Sequence, residues 1–243
     1  MNGITTDPAN YRPITILSPF SKILEKIVSE QLNSFIKKYN ILFQYQFGFR
    51  RDYSTELAIL EMSDILKTSI LQLLITCCLF LDFSKTFDTV NHNILLNKSH
   101  KYGVRGITLD WFRSYLLNRT QYVKIGDVES QPLNIICGIP QGSTLGPLLF
   151  LLYINDLPNS STKLSFRLFA DDANIFYTSK NLNDIETIMN TEFQNIRNYC
   201  SANKLSINMK KTQSMLSIVI ILGMQLDIPF IDQKLGLIWK IYF

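Results

Sequence analysis

The run from Ser130 to Asn155 carries no charged side chain, and no other feature of this chain narrows its folding options as far. It is long enough to match the roughly 17–25 residues of a membrane-spanning helix. Pro140, Gln141, Gly142 and Pro147 interrupt it, however, and a helix broken inside hydrocarbon would leave backbone groups with no hydrogen-bond partner. The run is therefore expected to be buried in protein. Two other uncharged stretches, Thr68–Leu81 and Thr212–Leu226, are too short to span a bilayer, so no membrane segment is expected. Of the 243 residues 47% are hydrophobic and 18% charged, against about 25% charged in an average soluble domain. A chain of this length and composition can bury a large core. Its net charge of +4 is too small to establish a polyanionic partner by itself.

Cys77, Cys78, Cys137 and Cys200 show no framework spacing, and the adjacent pair lies in an apolar run. Reduced, buried thiols of an intracellular protein are expected. With only His92 and His100 and no Cys-x-x-Cys, a structural zinc site is not expected. The opening MNGITTDPANYRP has neither the basic nor the apolar region of a secretory signal, which points to a nuclear or cytoplasmic location.

Phe20, Ile23, Leu24, Ile27, Val28, Leu32, Phe35 and Ile36 recur at helical spacing behind Ser18 and Pro19. This predicts a capped helix with a core face. A second helix is expected near Asn183, with Glu186 in capping-box position and Ile185, Ile188, Met189, Phe193, Ile196 and Tyr199 along one side. Leu79–Leu81 reads as the end of a buried strand that delivers Asp82 to a cleft. Residues 166–169 and 173–177 read as a hairpin with Ala170, Asp171 and Asp172 at its tip. Strands and helices alternate without a regular βαβ repeat, so a mixed α+β fold is expected.

Asp171 and Asp172 by themselves fit a solvated hairpin tip, where acids are common. Asp82 changes the balance. Three carboxylates at the ends of neighbouring strands are what a pair of divalent ions about 3.5–4 Å apart requires, and magnesium favours such hard oxygen ligands together with substrate phosphates.

The strings FLDFSKTFDTVNH (Phe80–His92), GIPQGSTLGPLLFLLYINDL (Gly138–Leu157), FADD (Phe169–Asp172) and LSINMKKTQSM (Leu205–Met215) stand in one order along the chain. In that order they resemble the palm motifs of reverse transcriptases. Upstream, YRPITILSPFSKILEKIV (Tyr11–Val28) and QFGFRRDYST (Gln46–Thr55) are similar to finger motifs of the non-LTR, LINE-type retrotransposon polymerases, jockey-like and CR1-like elements in particular. The resemblance covers roughly residues 10–216, and several long motifs in sequence are far more specific than one acid pair.

It implies a right-hand polymerase palm with partial fingers, an antiparallel sheet flanked by helices, and RNA-directed DNA polymerase activity. The implied division is residues 1–75 as fingers, 76–216 as palm and 217–243 as a degenerate tail with a primer-grip remnant at Leu222-Gly223. Asp82, Asp171 and Asp172 would hold two Mg2+ ions, with Mn2+ as a substitute. Phe87 matches the residue that lies under the sugar and excludes a 2′-hydroxyl; the residues alone read it first as a core aromatic. Gln141 and Gly142 match positions that face the incoming nucleotide. Lys211 resembles a general acid for pyrophosphate, and Arg50 a finger residue near the triphosphate. Asp88 is expected to be structural. Thr86 stands where the family usually has Ala, so extra volume is expected beside the triphosphate path. Implied partners are an RNA template, a DNA primer and deoxynucleoside triphosphates.

Lys98, Lys101, Arg105, Arg113, Arg119 and Lys124, interleaved with Tyr102, Trp111, Phe112, Tyr115 and Tyr122, suit phosphate contacts and stacking. They equally suit an amphipathic helix with an aromatic core face. Little sequence precedes Tyr11, and no thumb motif follows Met215, so a truncated copy is expected. Two readings follow: a minimal catalytic polymerase, or an inactive relic that at most binds nucleic acid.

Overall fold

The computed structural model of the chain describes residues 14–217 and 239–242. Tyr11 to Pro13 and the Leu222-Gly223 remnant lie outside the described residues. In chain order the helices are α1 (Pro19–Lys38), α2 (Thr55–Leu71), α3 (His92–Lys101), α4 (Ile107–Leu116), α5 (Gly146–Ile154) and α6 (Leu182–Ala202). The strands are β1 (Ile75–Leu81), β2 (Thr120–Gln121), β3 (Lys124–Ile125), β4 (Val128–Glu129), β5 (Leu133–Asn134), β6 (Ser165–Phe169), β7 (Asp172–Ser179), β8 (Gln213–Ser217) and β9 (Trp239–Tyr242). A short 3-10 helix covers Leu157–Ser160. Two compact units emerge, each assembled from two stretches of chain. One joins the segment ending at Ile41 to Phe87–Leu152; the other joins Leu42–Thr86 to the chain from Tyr153 onward.

The second unit is built on β1. Its sequence, ITCCLFL, places apolar side chains on both faces, and Cys77, Cys78, Leu79 and Leu81 are all buried. Such a strand has to be central. It lies between β7 and β8, antiparallel to both, in a sheet ordered β6-β7-β1-β8-β9 whose last pair, β8 and β9, is parallel. Helix α6 presents Ile185, Met189, Phe193, Ile196 and Cys200 to the core. It starts slightly before the expected point: Asn181 is the cap, its side chain accepting from the Asn183 N–H at 2.9 Å. The predicted hairpin is present with a shorter tip. Asp172 already pairs with Phe169, which leaves Ala170 and Asp171 as the turn.

In the first unit, Ser18 caps α1 by accepting the Ser21 N–H at 3.1 Å, with Pro19 at its start. The expected core face holds only in the second half, where Leu32 and Ile36 are buried. In the first half Phe20, Ile23, Leu24 and Ile27 are 80%, 57%, 55% and 48% exposed, while Glu25 and Ser29 are buried instead. The cause is a hydrogen-bond network described below, which draws the Glu25 side of the helix inward.

The uncharged run resolves into a loop through Pro140 followed by α5, which has Pro147 in its first turn, where proline is tolerated. Leu149 to Ile154 are each at most 1% exposed, which accounts for a helix that is apolar all round. Among the described residues no helix is long and apolar enough to cross a membrane. The basic-aromatic segment divides. Lys98 and Phe112 are buried and Lys124 pairs with Glu129 at 2.8 Å, whereas Lys101, Arg105 and Arg113 are exposed.

Candidate active site

Antiparallel register does the first assembly step. Leu81 pairs with Ala173, so Asp82, one residue past β1, comes level with Asp172 at the start of β7. The strand that would continue β1 is held by the Leu205–Thr212 segment. Asn208 donates its N–H to the Asp82 carbonyl at 2.8 Å, Phe83 bridges Ile207, and Ser84 donates to the Ser206 carbonyl at 2.8 Å. This tether brings Lys211 to the same cleft. Asp82, Asp172 and Lys211 line a cavity of about 590 Å³ with Phe80, Phe169, Asn174 and, from α2, Thr55, Ala58, Ile59 and Met62.

Electrostatics in this cleft are unbalanced toward negative charge. Desolvation, then the neighbouring charges of Asp171 and Asp82, push the Asp172 carboxyl above its usual range, and Lys211 opposes them. Asp82 carries a buried Oδ2 with no hydrogen-bond partner. A buried carboxylate oxygen left unpaired is costly, and a cation is the natural partner for it.

Asp171 is held separately. The Thr86 hydroxyl donates to its Oδ2 at 2.9 Å, and Thr86 is only 3% exposed. The hydroxyl expected beside a substrate path is thus spent on the carboxylate itself. The turn that carries Asp171 is strained: Ala170 has φ +55°, a left-handed conformation that costs an L-residue roughly 1–2 kcal/mol. Buried Gln46 supports it. Its Oε1 accepts the Ala170 N–H at 3.0 Å and the Gly48 N–H at 2.9 Å, and its Nε2 reaches the Ala170 carbonyl at 3.5 Å. On either side, Phe47 donates to the Leu168 carbonyl at 2.7 Å and Leu168 to the Tyr45 carbonyl at 2.9 Å. A side chain at Gly48 would meet the Ala170 nitrogen at 2.1 Å, so only glycine lets the two backbones approach.

The sequence reading missed the Gln46 contact, although Gln46 heads the QFGFR string. Arg50, in the same string, is turned into its own loop. Its Nη1 donates to the carbonyls of Phe43 and Gln46, both at 3.1 Å, and its guanidinium lies 4.0 Å from the Tyr53 ring.

The residue set fits a divalent cation in one specific sense. Among the described residues no three His, Cys, Asp or Glu side chains converge into a closed cage. Asp82 and Asp172 line one cleft, and Asp82 Oδ2 is left without a protein partner, which matches an open site of one or two carboxylates completed by substrate phosphates.

Phe87, Gln141 and Gly142 belong to the other unit. The Phe87 ring packs on Phe150 at 4.8 Å and stays partly exposed, so it has a core contact and an accessible edge at once. Gln141 is fixed by its amide, which donates to Asp88 Oδ1 at 2.8 Å; Asp88 thus has a holding role. Gly142 has φ +102°, which favours glycine. Behind this turn, Glu25 accepts from the Thr144 N–H at 2.8 Å and from the Tyr115 hydroxyl at 2.9 Å, and Ser143 Oγ accepts from the Leu145 and Gly146 N–H groups. A buried carboxylate and a hydroxyl therefore satisfy the start of α5, where helix N–H groups lack partners. Burial pushes the Tyr115 hydroxyl up to about 12, so it remains a donor.

A sheet of this order with paired acids at one end of its central strands defines a polymerase palm. The family described as reverse transcriptase (RNA-dependent DNA polymerase) matches residues 4–226, and the chain belongs to that family, on its non-LTR retrotransposon branch. A probable RNA-directed DNA polymerase from transposon BS of Drosophila melanogaster is 32% identical over 84% of the chain. The RNA-directed DNA polymerase from mobile element jockey of the same organism is 27% identical over 73%. The chain spans 23% and 20% of these relatives' lengths. Among solved structures, telomerase from Candida tropicalis in complex with a fragment of telomeric RNA superposes with TM-score 0.54 over 82% of this chain and 34% of that one, at 14% identity. That likeness concerns the fold.

Proposed function

We propose that this domain carries out RNA-templated DNA synthesis, adding deoxynucleotides to a primer 3′-hydroxyl. The observation that carries the proposal is the buried, unpartnered Oδ2 of Asp82 in one cleft with Asp172 and Lys211. Asp82, Asp171 and Asp172 would hold the divalent cation, Mg2+ or Mn2+, with the Thr86 hydroxyl fixing one oxygen of Asp171. Two such ions, when bound, lower the pKa of the attacking hydroxyl and offset charge on the leaving pyrophosphate. Lys211 lines the same cleft, and in this reading it would meet the charge of the leaving pyrophosphate and supply a proton to it. Gln141 and Gly142, held by Asp88 and by the start of α5, would offer a rigid turn to the nucleotide, and Phe87 an edge against a 2′-hydroxyl. Arg50 enters the proposal as the holder of the Gln46 loop, since its guanidinium is engaged there.

Primer extension on an RNA template with deoxynucleotides and Mg2+ tests this directly, with Asp171→Asn alongside. The variant removes a ligand charge at constant volume, so extension by the native chain and at least 100-fold less by a folded variant is expected. A folded native chain that extends nothing would overturn the proposal. It would favour the second reading, nucleic-acid binding without catalysis, to which the exposed Lys101, Arg105 and Arg113 lend support.

A further inference from the structure

The structure assigns to Gln46 the role of a positioning residue: its side-chain amide is the template that holds Ala170 in a left-handed turn and so fixes where Asp171 and Asp172 stand. The inference rests on the metal-dependent reading above and adds the device that sets its geometry. Three observations converge. First, Ala170 is a non-glycine residue at φ +55° directly before the acid pair, and such strain persists only where neighbours over-determine it. Second, those neighbours are one side chain, only 2% exposed, which bonds the Ala170 N–H, the Ala170 carbonyl and the Gly48 N–H at 3.0, 3.5 and 2.9 Å. Third, Gly48 stands so close that any side chain would displace the Ala170 nitrogen. A two-residue turn usually supplies its own conformation through glycine or asparagine. Here the conformation is imposed from a loop more than a hundred residues away in sequence.

The carboxylates inherit this constraint. Asp171 is the second residue of the turn and Asp172 the first residue after it, so a change of φ at Ala170 swings both relative to Asp82, which is anchored independently by Asn208. Gln46 touches no reacting atom. It acts through the turn, and its removal should change cation affinity more than it changes the fold.

The experiment uses the full chain with Mn2+ as probe. Binding is read by electron paramagnetic resonance and amide hydrogen exchange residue by residue, with primer extension as a third reading. In the native chain the Ala170 amide, at a hairpin tip, should exchange as slowly as strand amides of β6. Gln46→Met, close in volume and unable to make any of the three bonds, should lose that protection. It should also weaken Mn2+ binding by about 10-fold or more, the usual effect of removing a group that orients a metal ligand, and raise the Mn2+ concentration for half-maximal extension in proportion. Ala170→Gly, which accepts the same φ without strain, should keep native Mn2+ affinity.

A Gln46→Met chain that binds Mn2+ as tightly as the native chain, with only its melting point lowered, would overturn the positioning role. Should that variant fail to fold, the native chain still decides: an Ala170 amide exchanging at the rate of an open turn would overturn the inference. A native chain that binds no Mn2+ overturns the polymerase reading and this role together, whereas native Mn2+ binding with an unaffected variant overturns this role alone.

Discussion

The hydroxyl of Thr86 has a definite employment: a 2.9 Å hydrogen bond to Asp171 from a buried position. Hydrogen bonds to charged groups contribute about 1.5–3 kcal/mol. Thr86→Val, which keeps the shape and removes the hydroxyl, should therefore lower unfolding free energy by roughly 1.5 kcal/mol in urea titrations. No loss in that variant would place the threonine's contribution in packing alone. Phe87→Ala addresses a different question at the same scale. The ring has one face on Phe150, so its loss is expected to cost stability and to admit ribonucleotides in extension assays; unchanged sugar discrimination would return Phe87 to the core only.

At the scale of elements, the entry to α5 depends on Glu25, a carboxylate 1% exposed whose two oxygens are both used. Glu25→Ala leaves the Thr144 N–H and the Tyr115 hydroxyl without this acceptor, at an expected cost of roughly 2–4 kcal/mol in unfolding free energy, while Glu25→Gln keeps an acceptor and should lose about half as much. Urea midpoints of the two variants measure the difference. The same network explains what could and could not be read from sequence. Strands and their terminal acids were legible because burial on both faces writes a continuous apolar run, and the run stops where the acid begins. Cap signals at Ser18 were legible because they span one helical turn. Glu25 and Gln46 were not. Their partners Thr144 and Ala170 lie 119 and 124 residues along the chain, and a polar residue buried for a distant backbone group leaves no periodic trace. The apolar stripe of α1 misled for the same reason: helical spacing identifies a face, and the Glu25 contacts decided which face turned inward.

For the molecule as a whole, two properties follow. Asp172 holds its proton more tightly in the folded state than its ordinary value of 3.8 implies. The native form therefore binds more protons than the unfolded form just above that value, and stability falls as pH rises through that window. A divalent cation offsets the same repulsion. Thermal unfolding at pH 7 should accordingly shift upward with Mg2+, with little shift at pH 3.5, and Asp172→Asn should raise the melting point without metal while shrinking the metal-induced increment. The second property concerns association. Ile14, Ile16 and Phe20 are at least 80% exposed beside Ile23, Leu24 and Ile27, an apolar surface of the kind that drives self-association in isolation. Light scattering after size exclusion should show concentration-dependent oligomers, and Phe20→Ser with Ile23→Ser should suppress them without lowering the melting point.

Cys77 and Cys78 point to opposite faces of β1, burial pushes the Cys77 thiol up to about 12 and the Cys78 thiol higher still, and both stand in the strand that the acid cleft terminates. Cys137, by contrast, is exposed. The chain thus contains its own clock. A thiol-specific dye at neutral pH should consume Cys137 at once, and every later modification at Cys77 or Cys78 would count an event in which the sheet opened far enough to release its central strand. Slowing of that count by nucleotide or metal would register a ligand through the mechanical integrity of the sheet, with no need for turnover.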